Sequence, residues 1–585
     1  MRTVGLKTHT RVGPLSSFAP IATRAPNQIH KTKTRGLDVL NSPLLNKGTA
    51  FSNSERTNLG LAGLLPPEVS TLAQQVQGAY MQFERLPDAI SKNIYLTALH
   101  DRNEILFYKL FSEHLREMIP IVNDVTVGLA MKQYHHECRR PRGVYLSIHQ
   151  IDQMEAAFHN LGLGPNDVDL ILATDAENIM GVGDWGIGGI EVAIGKLAIY
   201  TAAGGVSPKR VIPVMLDAGT NEASLLSDAM YIGNRHERIR GQQYDDFIQA
   251  YVETVTKLFP RALLQWEDFE PENARKILGK YRDKACTFND DLQGTGAIAL
   301  AAIISAVRVC GTPLRHQRVV IFGAGTAGIS VANQLRDAMV CEGLSKADAC
   351  LRIWCVDRQG LLRTGGDTRL RRYQMPYARA EEETKLWKRS VHDGSIGLAE
   401  VMNRVVPTIL IGASAVPGSF TKAMVREMGG QMERPIIFVL SSPASRAEAI
   451  PADLINWTDG RALIATGSPF APVTFRGVTY VIAQLSNAIL YPGLGLGAIV
   501  SKTSRISDGM FRAAANAVSS LVAVRLPGAS LLPQIDDLRS ASATVAVSVA
   551  EQAEAEGFAG VVFDDIVEQV QAAMWQPEYQ PIEAI

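Results

Sequence analysis

The sequence predicts an α/β protein in which a helical amino-terminal domain precedes two doubly wound parallel sheets. Its 585 residues allow two to four domains of about 150 residues each. Between Pro67 and Met118, apolar residues recur at steps of three and four, which is the period of a helix with one buried face. After about Gly143, short β-rich runs alternate with helical stretches, as in parallel sheets that carry helices on both faces.

The β-rich runs are short and apolar, and many of them end in Gly, Asp, Glu or Ser. They comprise 168–173, 211–216, 263–266, 319–322, 353–356, 408–411 and 436–440. Because ligands of doubly wound sheets bind beyond the carboxyl ends of the strands, we expect the functional residues at those ends.

The composition argues against several classes of protein. The 58 Lys and Arg residues balance the 59 Asp and Glu residues, whereas a nucleic-acid-binding protein carries a basic excess. The longest apolar run, 297–307, is shorter than the ~20 residues of a membrane-spanning helix, so we expect no membrane crossing. The six cysteines show no Cys-x-x-Cys pairing, which indicates neither a disulfide framework nor a cysteine-based zinc cluster.

The amino terminus differs from the rest of the chain. Residues 1–36 contain seven Lys or Arg residues, no acidic residue and many Ser and Thr residues, which is typical of a mitochondrial presequence. Pro14, Pro20 and Pro26 would interrupt an amphipathic helix, so a disordered basic tail is the alternative. We therefore expect a mitochondrial matrix protein, with a cytoplasmic one as the alternative.

A glycine-rich turn follows one of the predicted strands. The strand 319–322 runs directly into Gly323, Gly325 and Gly328 in the pattern Gly-x-Gly-x-x-Gly, and a helical pattern follows. Such glycines allow a tight turn, close approach of a pyrophosphate and close packing of the helix on the strand. The next strand ends at Asp357, where an acid can accept hydrogen bonds from the adenosine ribose. The segment predicts a Rossmann-type dinucleotide site.

The residues around this turn leave the choice of nucleotide open. Thr326 and Ala327 complete the turn, and Asp357 favours NAD because its charge repels a 2′-phosphate, whereas the adjacent Arg358 attracts one and permits NADP. A second Gly-x-Gly-x-x-Gly match, at 181–186, does not directly follow its strand, so its glycines do not lie in a strand–helix turn. We interpret that match as a structural or substrate-side glycine loop.

Two acidic pairs and one lysine are candidates for chemistry. Glu267 and Asp268 follow the run 263–266, and Asp290 and Asp291 follow Phe288 and Asn289, so the two pairs could converge on one cleft. Three oxygen ligands without Cys or His suit Mg²⁺ or Mn²⁺, while helix capping is the alternative role. Lys196 lies in an otherwise apolar stretch, where desolvation would lower its pKa and allow it to act as a general base. A lysine at the surface is the alternative.

Taken together, these segments resemble the malic enzyme family, and more closely its malolactic-type and fungal branches. The resemblance runs from about Leu40 to the carboxyl terminus. The motifs that carry it are 44–51, 63–66, 139–143, 181–188, 216–221, 231–238, 266–269, 287–295, 465–470 and 491–495. It implies oxidation of L-malate with NAD(P) and decarboxylation to pyruvate, or a malolactic conversion to lactate.

The resemblance also assigns roles and boundaries. It implies that Glu267, Asp268 and Asp291 bind the metal, and that Lys196 is the general base with Asp290 as its charged partner. It places Asn487 at both the cofactor and the substrate, and it implies a homodimer or homotetramer. The expected parts are a basic tail (1–36), a helical domain (37–142), a substrate domain (143–290), a nucleotide domain (291–486) and a returning carboxyl-terminal segment (487–585).

The chain departs from the family on the substrate side. Asn123 stands where relatives carry a tyrosine that acts as an acid, and Asn178 stands where many carry a carboxylate-binding arginine. Ser442 replaces the asparagine of a Ser-Asn-Pro motif, and of two paired asparagines only Asn487 remains. Three functions stay open: a working malic or malolactic enzyme, an enzyme acting on a related 2-hydroxy or 2-keto acid, and a nucleotide-binding regulatory protein with little catalysis.

Overall fold

The computed structural model describes residues 29–123, 128, 134–137, 139–365 and 370–585. Most of the predicted basic tail lies outside these residues. The prediction of a tail over 1–36 is nevertheless too long, because His30–Thr32 form a strand that pairs in parallel with Ile582–Ala584 at the other end of the chain. The Arg35 guanidinium donates a hydrogen bond to the Ile585 carbonyl at 3.1 Å. The two ends of the described chain are thus joined.

The amino-terminal domain is helical, as predicted. Its main helices begin at capping residues: the Thr71 hydroxyl accepts a hydrogen bond from the Gln74 amide, and the Asp88 carboxylate accepts one from Ser91. Val69 precedes the first long helix and is exposed, so the predicted helical face begins later than expected. The helices are Leu37–Leu40, Asn53–Asn58, Leu72–Glu84, Ala89–Arg102, Glu104–Glu113 and Leu115–Val122.

The second domain contains a five-stranded, fully parallel sheet. Its strands, in spatial order, are Val144–Ser147, Val211–Asp217, Leu170–Thr174, Leu263–Trp266 and Thr287–Asn289. The helices around it are Met154–His159, Ile190–Ala202, Ala223–Ser227, Gln242–Leu258 and Pro271–Tyr281. The central strands are buried on both faces, which explains why they read as continuous apolar runs.

The third domain contains a seven-stranded sheet with one antiparallel edge strand. Its strands, in spatial order, are Ala483–Gln484, Leu463–Thr466, Ile436–Val439, Ile409–Gly412, Val319–Phe322, Ile353–Asp357 and Gly360–Leu361. Its helices are Thr326–Cys341, Lys346–Leu351, Leu398–Val405, Lys422–Gln431 and Pro451–Trp457, and a hairpin joins Val473–Phe475 to Val478–Tyr480. The chain reverses direction across the sheet between strands 319–322 and 409–412, and such a switch point forms a ligand crevice.

Long apolar helices lie between and behind the two sheets. They are Thr295–Cys310, Tyr491–Ser501, Asp508–Ser520, Leu538–Ala555 and Ile566–Ala573. By length and composition alone, the segment Asp290–Cys310 would suffice to cross a membrane, but 67% of its apolar window is buried inside the protein. Its first turn is joined to helix Thr326–Cys341, because the Ser330 hydroxyl donates a hydrogen bond to the Leu292 carbonyl at 2.6 Å.

Candidate active site

Three carboxylates meet at the carboxyl edge of the five-stranded sheet. Glu267 and Asp268 follow strand Leu263–Trp266, and Asp291 lies in the π-helical turn that follows strand Thr287–Asn289. One oxygen from each carboxylate lies within 4.8 Å of the others. The Asp268 amide donates a hydrogen bond to Asp291 Oδ2 at 2.9 Å, and the Met180 amide donates one to Asp268 Oδ1 at 2.8 Å. The backbone therefore holds the acidic side chains in a fixed arrangement.

This acidic cluster fits a divalent cation. Among the described residues, the buried Asp268 Oδ2 has no hydrogen-bond partner, and a buried carboxylate oxygen without a partner is costly. Burial first, and the neighbouring carboxylates second, raise the pKa of Asp268 well above its usual value. Burial likewise raises the pKa of Glu267 and Asp291. A hard cation with oxygen ligands would satisfy these groups.

Lys196 lies beside the acidic cluster and is not a surface lysine. It projects from helix Ile190–Ala202, its side chain is 11% exposed, and its Nζ donates a hydrogen bond to Asp290 Oδ2 at 2.6 Å. It also forms an ion pair with Glu267. Although burial alone would lower the pKa of Lys196, the negative charges of Asp290 and Glu267 outweigh burial and raise it well above its usual value. The predicted lowering of this pKa is therefore wrong.

Aromatic and amide side chains that sequence reasoning missed surround this lysine. The Lys196 Nζ lies 5.2 Å from the centre of the Tyr491 ring, which packs against Tyr200 at a centroid distance of 4.9 Å. The Tyr200 hydroxyl donates a hydrogen bond to Gln265, whose amide donates one to Glu267 at 3.1 Å. Tyr200 lies one helical turn after Lys196, and Gln265 lies two residues before Glu267, so local spacing could have indicated both. Tyr491 is distant in the chain, and only the fold brings it to Lys196.

The predicted substrate residues do not all meet. Asn123 lies against Gly195: a Cβ added to that glycine would be 3.1 Å from the Asn123 Oδ1. This oxygen is buried and has no hydrogen-bond partner among the described residues. The Asn178 amide donates a hydrogen bond to the Asp268 carbonyl at 2.9 Å. Asn487 Nδ2 donates to Asp290 Oδ2 at 3.1 Å. All three thus adjoin Lys196 or the acidic pairs.

Ser442 is the exception. It is exposed beyond the carboxyl end of strand Ile436–Val439 in the seven-stranded sheet, and its hydroxyl accepts a hydrogen bond from Ser468 at 3.2 Å. A buried acid that the sequence did not reveal, Glu448, organises the loops nearby: one of its oxygens accepts hydrogen bonds from the Ser414 amide at 2.8 Å and from the Ser441 hydroxyl at 2.6 Å. Glu448 therefore ties the loops that follow two neighbouring strands.

The predicted glycine turn lies at the switch point of the seven-stranded sheet. Gly323 has a φ of 106°, and a Cβ there would lie 2.2 Å from the Ala413 carbonyl oxygen. A Cβ on Gly328 would lie 1.9 Å from the Gly323 carbonyl oxygen, whereas one on Gly325 would meet nothing within 4 Å. The turn is therefore closed on its inner side and open where a pyrophosphate would approach. Helix Thr326–Cys341, which includes Thr326 and Ala327 in its first turn, begins there.

Asp357 ends the neighbouring strand, as predicted. One of its oxygens accepts a hydrogen bond from Gln374 at 3.1 Å, and the same Gln374 amide donates to the Ala324 carbonyl in the glycine turn at 3.0 Å. Gln374 thus links the acid to the turn, a contact that sequence reasoning missed. Arg358 is exposed beside it. The 34-residue interval from Gly323 to Asp357 contains two helices, Thr326–Cys341 and Lys346–Leu351.

The chain combines a dinucleotide-binding turn with a buried amine among carboxylates. The turn suits hydride transfer to a nicotinamide, and the amine suits proton transfer. The protein is accordingly an oxidoreductase of the NAD-binding class. Residues 100–282 match the family model "Malic enzyme, N-terminal domain", and residues 292–554 match "Malic enzyme, NAD binding domain". The chain therefore belongs to the malic enzyme family, whose members are decarboxylating oxidoreductases.

Similar proteins span nearly the whole chain. "NAD-dependent malic enzyme 3" of Bacillus subtilis is 55% identical over 555 residues, which cover 95% of this chain and 98% of that protein. "NAD-dependent malic enzyme" of Sodalis glossinidius is 44% identical over 544 residues, covering 93% of this chain and 95% of that protein. The match confirms the family that the sequence motifs indicated.

Solved structures share the fold. Malic enzyme from Entamoeba histolytica has a TM-score of 0.53 at 20% identity, covering 88% of this chain and 89% of that one. Malic enzyme from Pyrococcus horikoshii has a TM-score of 0.53 at 21% identity, covering 73% of this chain and 86% of that one. The two relatives named above, from Bacillus subtilis and Sodalis glossinidius, are bacterial, so they do not support the predicted mitochondrial matrix location.

Proposed function

We propose that this protein oxidatively decarboxylates L-malate to pyruvate and CO₂, using NAD together with Mg²⁺ or Mn²⁺. The observation that carries the proposal is the buried pair of Lys196 and Asp290, 2.6 Å apart, beside a cluster of three carboxylates. The names of the relatives, which are NAD-dependent malic enzymes, support this reaction over other oxidations.

Each residue of the site has a role in this proposal. Glu267, Asp268 and Asp291 would hold the divalent cation, which when bound supplies a Lewis-acid charge beside the reacting oxygen. Lys196 would accept the proton of the substrate hydroxyl, after it has passed its own proton on. Asp290 lies within its reach, at 2.6 Å, and would accept that proton, because Glu267 would be occupied by the cation. Asn487 orients Asp290 through the hydrogen bond at 3.1 Å.

The direct test is an assay of purified protein with L-malate, Mn²⁺ and NAD. We expect NADH and pyruvate to form together, and we expect a chelator to stop the reaction until Mn²⁺ is added back. A malolactic conversion would instead yield lactate without net NADH. Absence of NADH, pyruvate and lactate in all assays would contradict the proposal.

A second candidate function is turnover of a related 2-hydroxy or 2-keto acid. It is favoured by Asn123, whose buried Oδ1 has no partner among the described residues and lies against the helix turn that precedes Lys196. An amide there cannot donate a proton near neutral pH. We expect the substitution Asn123→Tyr to raise malate decarboxylation, by up to ~10²–10⁴-fold. If the wild-type protein turns over another acid from a panel faster than malate, the second function replaces the first.

The remaining assignments follow from the family. We infer a cytoplasmic location from the bacterial relatives, and a homodimer or homotetramer from the resemblance. Light scattering on the purified protein measures its molar mass, and a monomeric mass would contradict the inferred oligomer. NAD binding by calorimetry without turnover of any acid would instead identify a regulatory nucleotide-binding protein.

A further inference from the structure

A second group of metal-ligating side chains lies apart from the acidic cluster. His135 and His136, in a short 3₁₀ turn, both direct their Nε2 atoms at Asp228 Oδ2, at 2.8 and 2.7 Å. One ligand atom from each of the three residues lies within 4.8 Å of the others. The side chains of these two neighbouring histidines therefore converge on one carboxylate oxygen.

We propose that His135, His136 and Asp228 form a binding site for Zn²⁺. Two imidazole nitrogens together with one carboxylate oxygen form a ligand set that suits Zn²⁺, whereas Mg²⁺ prefers oxygen ligands alone. Tetrahedral zinc with bonds of ~2.1 Å places its ligand atoms about 3.4 Å apart. The imidazole nitrogens, now 2.8 and 2.7 Å from Asp228 Oδ2, therefore need to move only about 0.6–0.7 Å from it to admit the ion, and water would complete its coordination.

The surroundings of the three residues suit a metal site. The Met230 amide donates a hydrogen bond to Asp228 Oδ1 at 2.8 Å, which leaves Oδ2 directed at the histidines. His135 is 3% exposed and lies edge-on to Tyr231, with ring centroids 5.8 Å apart, so one ligand is held in place. His136 is 48% exposed, which gives an ion access.

The second histidine pair of the substrate domain is a natural control. His149 and His236 lie with their Nε2 atoms 2.7 Å apart, but no carboxylate completes a set of three ligands there among the described residues. The proposed zinc ion would instead join the turn at 134–136 to the loop at 228–231. This proposal does not depend on the proposed reaction, because it concerns ligands outside the acidic cluster.

Equilibrium dialysis of the full chain against Zn²⁺, with Mg²⁺ in large excess to occupy the acidic cluster, tests the site. We expect one zinc ion per chain in the wild type, in His149→Gln and in Asp268→Asn. In His136→Gln and Asp228→Asn we expect zinc affinity to fall at least tenfold, since even outer-shell substitutions cost about 10–100-fold. Circular dichroism checks that these variants are folded.

Cobalt provides an independent measurement. Co²⁺ bound to the wild type should give a visible absorption band that is absent in folded His136→Gln and unchanged in His149→Gln. Wild-type protein that binds no zinc under these conditions, or zinc affinity that is equal in wild type and His136→Gln, would overturn the proposal. Loss of the ion in Asp268→Asn alone would likewise overturn it, by placing zinc in the acidic cluster.

Discussion

At the scale of single residues, Lys196 shows how neighbouring charges can reverse the effect of burial. A lysine in an apolar stretch is expected to lose its proton easily, because a charged amine is poorly solvated there. In this structure the lysine is buried, but Asp290 and Glu267 are buried with it and hold its proton. The pKa of a buried group therefore depends on which partners the fold brings to it, and a local sequence window does not contain them.

We expect Lys196→Ala to lower kcat for malate by ~10²–10⁴-fold, the usual contribution of a general acid or base. Affinity for NAD should remain, since the glycine turn lies on the other sheet. Steady-state kinetics and calorimetry measure the two effects. Partial recovery of activity with added methylamine would support a missing amine, whereas an unchanged kcat in the folded variant would remove Lys196 from the mechanism.

Asp175 is a second buried acid, and its effect concerns stability. It accepts hydrogen bonds from the Tyr244 hydroxyl at 2.5 Å and from the Glu177 amide at 3.1 Å. Burial raises its pKa from 3.8 to about 6, against the opposing charge of Arg238. The folded protein therefore binds this proton more tightly than the unfolded chain does. The stabilisation is present below pH 4 and is lost as the pH rises through about 6.

We expect the substitution Asp175→Asn to remove this pH dependence, because an amide stays neutral. Between pH 4 and pH 7, the free energy of unfolding of the variant relative to the wild type should rise by up to ~3 kcal/mol. Urea denaturation at several pH values measures the difference. Parallel curves for the two proteins over this range would show that Asp175 does not titrate there.

At the scale of elements, the six residues of the glycine turn contain one glycine that the packing requires and another that faces the expected NAD site. Gly328 is closed against the Gly323 carbonyl, while Gly325 faces open space. We expect Gly328→Ala to destabilise the protein by about 1–3 kcal/mol, since the added methyl group overpacks the strand and the helix. The matched variant Gly325→Ala should keep its Tm and lose NAD affinity, because its methyl group stands where the pyrophosphate approaches.

Thermal unfolding and NAD titration of the two variants distinguish these effects. An unchanged NAD affinity in Gly325→Ala would mean that the cofactor does not approach this turn. A Tm in Gly328→Ala equal to that of the wild type would mean that the helix can shift away from the strand at little cost.

The sequence predicted those elements whose signal is local. The strands Leu263–Trp266 and Val319–Phe322 match their predicted bounds, because continuous apolar runs with polar ends mark buried parallel strands. The strand Thr287–Asn289 was missed, since three residues that include polar side chains give no pattern. The contacts of Gln374 with Asp357 and of Tyr491 with Lys196 depend on tertiary packing alone. The pKa of Lys196 was misjudged for the same reason.

At the scale of the whole molecule, parts of the chain that are distant in sequence contact one another. The strand His30–Thr32 pairs with Ile582–Ala584, and the Glu55 carboxylate accepts a hydrogen bond from the Ile582 amide at 2.9 Å. Asn487, almost 200 residues after Asp290, orients that acid. The family models likewise cover the chain on both sides of Asp290. The residues proposed for catalysis are therefore brought together by the complete fold.

The hydrogen bond between Ser330 and the Leu292 carbonyl links the proposed metal site to the proposed nucleotide site. It joins the turn that carries Asp291 to the helix that begins at the glycine turn. Any coupling between the two sites must be reciprocal. Whatever factor Mn²⁺ adds to NAD affinity, NAD must add to Mn²⁺ affinity, typically about 5- to 150-fold. Calorimetric titration in both orders should give equal factors, and Ser330→Ala should reduce both. Undiminished cooperativity in that variant would mean that the heterotropic coupling travels by another route.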